Sequence, residues 1–208
     1  MTPDEIQELF TSRGDAFHFA RWERPIVPVV FGVDNQTLPI IKGAIEAVVA
    51  LAGHKMAETD PELGGNLMLF FLRDWSELTA LDGLARMVPG LDDTLVRLER
   101  EGANQYRYFR FEENGAIRAA FVFLRMDESL SDMAAEDLAL AQAVQVIVLW
   151  GTRAFGETSP LARLPDGQVV LRPEIAAVVR AAYDPLLPVA GRDGMALSLR
   201  LSARLRAG

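Results

Sequence analysis

The sequence predicts an α+β domain with a mixed sheet of about four strands and several helices. Two apolar runs rich in strand-forming residues enclose one amphipathic helical stretch in the first half of the chain. A strong hairpin signal follows in the middle of the chain, and helical patterns dominate the second half. The length of 208 residues predicts one domain over residues 1–208, because domains cluster at roughly 100–200 residues.

The N-terminus carries the signals of a helix start. Thr2 is a candidate cap, Pro3 suits the first helical position, and Glu5 completes a capping box. We expect this helix to end near residues 12–14. A helix confined to residues 1–14 could lie at the periphery of the domain.

The next segment predicts a strand–helix–strand unit. Residues 26–33, with the sequence IVPVVFGV, are rich in β-branched side chains. Apolar residues at helical spacing follow from Thr37 to Gly53, a candidate C-cap. The run NLMLFFL at residues 66–72 lies between turn signals and predicts a central strand. A right-handed crossover would join the two strands in one sheet.

Asn114-Gly115 is the strongest hairpin signal in the chain. This dipeptide favours a tight turn of two residues between antiparallel strands. We expect it to pair residues 106–112 with residues 117–126.

Helical patterns fill much of the remaining chain. Residues 74–103 hold one or two helices, with Asp92 or Asp93 as the candidate cap of the second. Residues 152–171 carry many turn residues and predict a long irregular loop. Two final helices are predicted over residues 173–182 and 194–205.

The stretch LALAQAVQVIVLWG, residues 138–151, is the most apolar continuous segment. It predicts a buried helix that begins at the cap Ser131 and runs to just before Gly151. Gln142 and Gln145 interrupt its apolar character. Because buried amides require hydrogen-bond partners, these two side chains need an explanation.

The composition excludes several classes of function. The net charge of −8 and the presence of only two Lys argue against a nucleic-acid surface, which needs clustered basic side chains. The absence of Cys excludes disulfides and thiolate chemistry. No apolar run is long enough to predict a membrane span. The acidic start MTPDEIQELF is unlike a secretory signal, so we expect a cytoplasmic protein, or an exported one if a signal was removed before residue 1.

Motifs of known catalytic chemistry are missing from the sequence. Neither a G-x-S-x-G elbow, a phosphate-binding loop nor a dinucleotide-binding glycine pattern occurs. His18 and His54 lie in different predicted elements, so a zinc site would need carboxylates brought to them by the fold. We therefore predict no metal and no cofactor, and we assign no catalytic residue.

Tyr106 and Tyr108 alternate with Arg107 on the first strand of the hairpin. Such a pattern indicates either a ligand-stacking surface or a sheet face that packs in the core with the arginines facing out. The two tyrosines are therefore the candidates for ligand stacking.

Several segments together resemble a known bacterial family, called domain of unknown function 2927. The resemblance covers roughly residues 20–205. Its most specific part is the helix LAQAVQVIVLWG followed by a loop and RAAYDP, which contains Tyr183. The other matching pieces are FARWERPIVPVVFG, LAGH, NLMLFFL and AIRAAFVFLRMD.

This family is similar to the zincin metallopeptidases of the metzincin type, in which a helix carries H-E-x-x-H and continues into x-x-G-x-x-H. Two His bind zinc, and the Glu is the general base. Members of the family carry a version in which the second His is Gln. In this sequence the His, Glu, His, Gly and His positions are taken by Ala141, Gln142, Gln145, Val148 and Gly151.

The resemblance implies a zincin-like fold without zinc chemistry, because Ala has no donor atom and Gln cannot act as a base near neutral pH. It implies a non-catalytic protein that binds a protein or peptide through a former cleft. The cleft candidates are Ala141, Gln142, Gln145 and Tyr183. Two alternatives stay open: a hydrolase that uses carboxylates with His18 or His54, and a small-ligand or assembly module that uses residues 106–111.

Overall fold

The computed structural model describes residues 1–156 and 158–207. The helices are α1 (Pro3–Leu9), α2 (Thr37–Leu51), α3 (Leu84–Met87), α4 (Leu91–Arg100), α5 (Glu128–Ser131), α6 (Ala135–Ile147), α7 (Pro173–Ala182) and α8 (Gly194–Ala207), with a 3₁₀ helix at Trp75–Ala80. The strands are β1 (Phe19–Ala20), β2 (Pro28–Phe31), β3 (Leu67–Leu72), β4 (Gln105–Phe111), β5 (Ile117–Arg125), β6 (Leu161–Arg163), β7 (Val169–Leu171) and β8 (Ala190–Gly191).

The main sheet has the strand order β2-β3-β5-β4. Strands β2, β3 and β5 are parallel, and β4 pairs antiparallel with β5 at one edge. The prediction of an α+β fold with a mixed sheet of four strands is therefore confirmed. Within the described residues, none of the helices is long and apolar enough to cross a membrane.

Helices cover both faces of this sheet. On one face α1, α2, α6, α7 and α8 form the main core, and on the other the 3₁₀ helix, α3 and α4 form a smaller core. Alternate residues of β5 enter the two cores, for example Val122 and Phe123. This explains why the β5 sequence is a nearly continuous apolar run, as is typical of strands buried on both faces.

The N-terminal helix ends earlier than predicted, at Leu9. The chain turns there because Thr11 pairs with Phe17 in an isolated antiparallel bridge. Ile6 and Phe10 are fully buried in the main core, so α1 contributes to the core rather than lying at the periphery.

The predicted caps of two later helices are wrong. Ser131 is the last residue of α5, and α6 begins at Ala135 without a side-chain cap. Asp92 and Asp93 lie in the first turn of α4, whose N-cap is Gly90. Carboxylates in a first turn still favour the helix through its dipole.

Helix α6 ends at Ile147, before the predicted end. Val148 is extended and pairs with Arg21, and the Leu149 N–H donates to the Ala20 carbonyl at 2.8 Å. Pairing with the segment that contains β1 therefore stops the helix.

Two turn predictions also need correction. The Gly115 N–H donates to the Glu112 carbonyl, and the Glu112 N–H donates to the Ala116 carbonyl, so the hairpin turn has three residues rather than two. Only Gly115 adopts a positive φ there, at 85°, whereas a two-residue turn of type I′ would require positive φ at Asn114 as well. The predicted loop after α6 contains the β6–β7 hairpin.

A buried polar cluster around Asp60 links two segments by hydrogen bonds: the one before β3, which contains Asp60, and the one before β2, which contains Arg24. The carboxylate of Asp60 accepts hydrogen bonds from Arg24, from Asn66 and from the backbone N–H groups of Glu62 and Leu63. Burial acts to raise the pKa of Asp60, but these bonds outweigh it and lower the pKa to about 2.

We expect Asp60→Asn to reduce the free energy of unfolding at pH 7 by about 1–3 kcal/mol, since it removes the acceptor of an ionic hydrogen bond. The pKa of Asp60 is depressed in the folded state, so its contribution is complete above about pH 4 and is lost as pH falls through 2. Urea titrations at several pH values check this. The two proteins should converge in stability at low pH, and a constant difference from pH 7 to pH 2 would contradict the role of Asp60.

Candidate functional site

A groove of about 720 Å³ runs along the outer edge of β4. We call it the β4 groove. Residues 105–109 of β4 contribute to its lining. One wall is the end of α4, with Arg97 and Glu101, and the other is the segment from Leu149 to Gly156 that follows α6.

The edge of β4 that faces this groove is open. In an antiparallel pair, alternate residues direct both backbone groups towards the neighbouring strand. The Arg125 N–H donates to the Asn104 carbonyl at 2.8 Å, which sets the alternation, so Tyr106 and Tyr108 bond to β5. Among the described residues no backbone partner takes up the outward N–H and carbonyl groups of the alternate residues, Gln105, Arg107 and Phe109.

Gln142 lies beneath the β4 groove and is 1% exposed. Its Oε1 accepts a hydrogen bond from Nη2 of Arg107 at 2.5 Å, and its Nε2 donates to Oε1 of Gln105 at 3.1 Å. Arg107 Nη2 also donates to Gln105 at 2.9 Å. One of the two unexplained amides of α6 is thus the partner of a charged side chain on the edge strand.

Arg107 faces α6, which corrects the expectation that the arginines of this strand face out. Its Nε is buried without a hydrogen-bond partner. Within residues 1–156 and 158–207 its guanidinium bonds to two amides and forms no ion pair with a carboxylate. Burial lowers the pKa of Arg107 to about 10, so the side chain is still a cation at pH 7. The two neutral amides do not balance the positive charge of this buried guanidinium.

Gln145 is half-buried and contributes to the lining of the β4 groove, three residues along α6 from Gln142. Ala141 is buried and is not among the residues that line the groove. Gly151, the position of the third His in the resemblance, also lines the groove, but a Cβ there would lie 2.2 Å from the Thr11 carbonyl oxygen. The backbone therefore excludes any side chain at residue 151.

Tyr183 lies apart from the residues that line the β4 groove. Its hydroxyl donates to the Ile147 carbonyl at 2.7 Å, and burial raises its pKa. The indole of Trp22 donates to the Val146 carbonyl, and that of Trp150 donates to the Val144 carbonyl, at 2.8 and 2.7 Å. The carbonyls in the last turn of a helix receive no hydrogen bond from within the helix. Three aromatic side chains thus supply donors to such carbonyls in α6.

The two histidines are in separate places. His18 contributes to the β4 groove, and its ring is tilted against that of Phe111 with the ring centres 5.2 Å apart. His54 Nε2 lies 2.9 Å from the Arg24 carbonyl oxygen, and its ring packs against Tyr183. Burial lowers the pKa of both. In the described ranges neither forms an ion pair with a carboxylate, and no cluster of three or more His, Asp or Glu could hold a metal.

Tyr106 and Tyr108 are half-buried and contribute to the β4 groove. Their rings lie 6.2 Å from those of Phe123 and Phe121, on the side of the smaller core. The Arg97 guanidinium lies 6.0 Å from the centre of the Tyr106 ring. The two tyrosines are therefore partly core residues and partly groove wall.

The structure brings most of the sequence candidates to one place. Gln145, Tyr106, Tyr108 and His18 line the β4 groove, and Gln142 supports it from below. Sequence reasoning named Arg107 only beside the two tyrosines, and it did not identify Gln105 and Arg107 as the partners of Gln142. The signal was available in principle, because they lie two residues apart on a strand and therefore share one face.

The fold and the groove define an α+β domain with a ligand-sized groove along the open edge of a mixed sheet. No family model matches the chain, and no curated protein or solved structure matches it significantly.

Replacing Tyr183 with Phe removes the hydroxyl donor but keeps the ring. We expect a loss of about 1–3 kcal/mol in the free energy of unfolding, because a buried carbonyl is left without a partner. The matched control is Tyr108→Phe, whose hydroxyl has no hydrogen-bond partner in the described residues; it should change stability by less than about 0.5 kcal/mol. Equal effects of the two substitutions in urea denaturation would show that the Tyr183 hydroxyl does not cap α6.

Proposed function

We propose that this protein is a non-catalytic domain with a zincin-like fold that binds an extended peptide segment of a partner protein. The peptide adds as a further strand to β4, in the β4 groove. The observation that carries this proposal is the row of outward backbone groups on Gln105, Arg107 and Phe109 within a groove. Strand addition uses such groups for affinity and flanking side chains for selectivity.

The dimensions and lining of the groove support this mode of binding. Strand β4 extends over Gln105–Phe111, about the length that pairs with a six- to eight-residue segment. Aromatic side chains from Tyr106, Tyr108 and Trp150 line the groove. Aromatic residues supply much of the contact area in peptide and protein recognition sites.

The residues of α6 support the non-catalytic part of the proposal. Where the resemblance places a zinc ligand, a general base and a second ligand, this chain has Ala141, Gln142 and Gln145. Gln142 donates and accepts hydrogen bonds as a neutral amide and has no carboxylate to accept a proton. The zincin likeness of the fold is part of this proposal and explains why a helix with polar side chains lies beside an open strand.

An array of acetylated and amidated octapeptides, probed with the labelled full chain, tests peptide binding. The tightest member is then synthesised in two forms, with alternate amides N-methylated in one register or the other. Strand addition predicts that one register lowers the affinity at least about tenfold, because methylation removes two or more backbone hydrogen bonds. The other register should bind nearly as the parent does. Equal effects in both registers would contradict strand addition.

Gln145→Trp tests the location of the site from the protein side. A bulky ring at residue 145 would fill part of the β4 groove, so we expect the parent octapeptide to bind at least about tenfold more weakly. The matched control is Leu199→Trp, since Leu199 is exposed on α8 and does not line the groove. An unchanged affinity for the Gln145→Trp variant would place the peptide elsewhere.

A further inference from the structure

Among the described residues that line the β4 groove, Arg107 has a buried side-chain nitrogen without a hydrogen-bond partner, and its positive charge has no carboxylate beside it. Its guanidinium bonds only to the amides of Gln105 and Gln142, and its Nε is buried without a partner. Burying a cation without an anion is costly unless a partner completes the site. An incoming carboxylate would be such a partner.

The strand geometry gives a ligand side chain access to Arg107. The backbone groups of Arg107 point to the open edge, so an added strand would place one residue directly beside it. Side chains of adjacent residues in neighbouring strands lie on the same face, about 4.5–5.5 Å apart at Cβ. A ligand side chain at this position would therefore extend towards the guanidinium and α6.

The charges of the β4 groove also favour an anion. At pH 7 the described residues that line the groove carry two cations, Arg97 and Arg107, and one carboxylate, Glu101. His18 adds no charge, since burial and Arg192 lower its pKa. The groove is thus locally positive although the chain has a net charge of −8. Local potential of this kind attracts and orients charged ligands.

We propose that the β4 groove selects peptides that carry an acidic side chain, Asp or Glu, at the position opposite Arg107. The guanidinium and this carboxylate form an ion pair that Arg107 does not make with any of the described residues. This inference rests on the proposed function, because it requires a peptide bound along β4.

The identity of residue 142 is central to this selection. Its Oε1 lies 2.5 Å from Arg107 Nη2, so a carboxylate at this position would be an internal counter-ion. An amide orients the guanidinium without neutralising it. Gln142 therefore keeps Arg107 available for a ligand, and the substitution Gln142→Glu should close the site to acidic side chains.

A positional scan of octapeptides with Glu or Gln at each position tests the proposal by fluorescence polarisation. For the wild type we expect one position at which Glu binds about tenfold or more tightly than Gln. Both Arg107→Gln and Gln142→Glu should abolish this preference, measured within each protein as the ratio of its affinities for the Glu and Gln peptides. Because Gln142→Glu retains Arg107, a loss of preference there cannot be attributed to removal of that side chain.

Arg97→Gln is the control for a general effect of charge. Arg97 lies over Tyr106, on the other face of β4, and its removal should leave most of the preference for Glu. A loss as large as that of Arg107→Gln would overturn the specific role of Arg107. Peptides that bind with no preference for Glu at any position would also overturn it while leaving strand addition intact, whereas failure of all peptides to bind would overturn both proposals.

Discussion

The structure depends on how the C-terminal end of α6 is terminated. This helix is buried along most of its length, so the buried carbonyls of its last turn, which have no partner inside the helix, need donors from elsewhere in the protein. Trp22, Trp150 and Tyr183 provide them from three different parts of the chain. Two backbone contacts then fix the direction in which the chain leaves the helix. Val148 pairs with Arg21, and Gly151 passes so close to Thr11 that no side chain fits.

This termination creates the β4 groove. The segment after Ile147 cannot continue as a helix across the edge of the sheet, so it turns away and forms a wall opposite α4. Strand β4 is paired to β5 on one side, and on its other side it has no backbone partner within residues 1–156 and 158–207. Below it, the amide of Gln142 holds Arg107 in place. Two features are connected here to function: an open strand edge, and a cation that has no counter-ion among the described residues. Both follow from the placement of α6.

Local patterns in the sequence predicted much of the fold. Apolar periodicity located α2, and an apolar run between turn signals located β3, because burial leaves a strong signal in residue order. The Asn114-Gly115 turn signal located β4 and β5. Boundaries set by distant contacts were missed. The end of α6 is set by the pairing of Val148 with Arg21. Ser131 does not cap α6 because it belongs to a separate short helix, α5, whose N-cap is Asp127. Neither contact has a signature near the boundary that it determines.

For the site, the sequence located Gln142 and Gln145 as unusual but did not identify their partners. Gln105 and Arg107 lie far from α6 in sequence, and their orientation towards α6 depends on which face of the sheet that helix covers. Arginine on a strand ordinarily faces solvent, so its burial against an amide could be seen only in three dimensions. Tyr183 was grouped with the cleft because of its sequence motif, whereas its hydroxyl caps α6.

The most direct test of the open edge is amide hydrogen exchange of β4, measured by NMR on the full chain with and without the tightest octapeptide. In the free protein the N–H groups of Tyr106 and Tyr108 should be protected by β5, and those of Arg107 and Phe109 should exchange much faster. Peptide should slow exchange at Arg107 and Phe109 selectively. Equal protection of all four amides in the free protein, or no change at Arg107 and Phe109 with bound peptide, would contradict strand addition at β4.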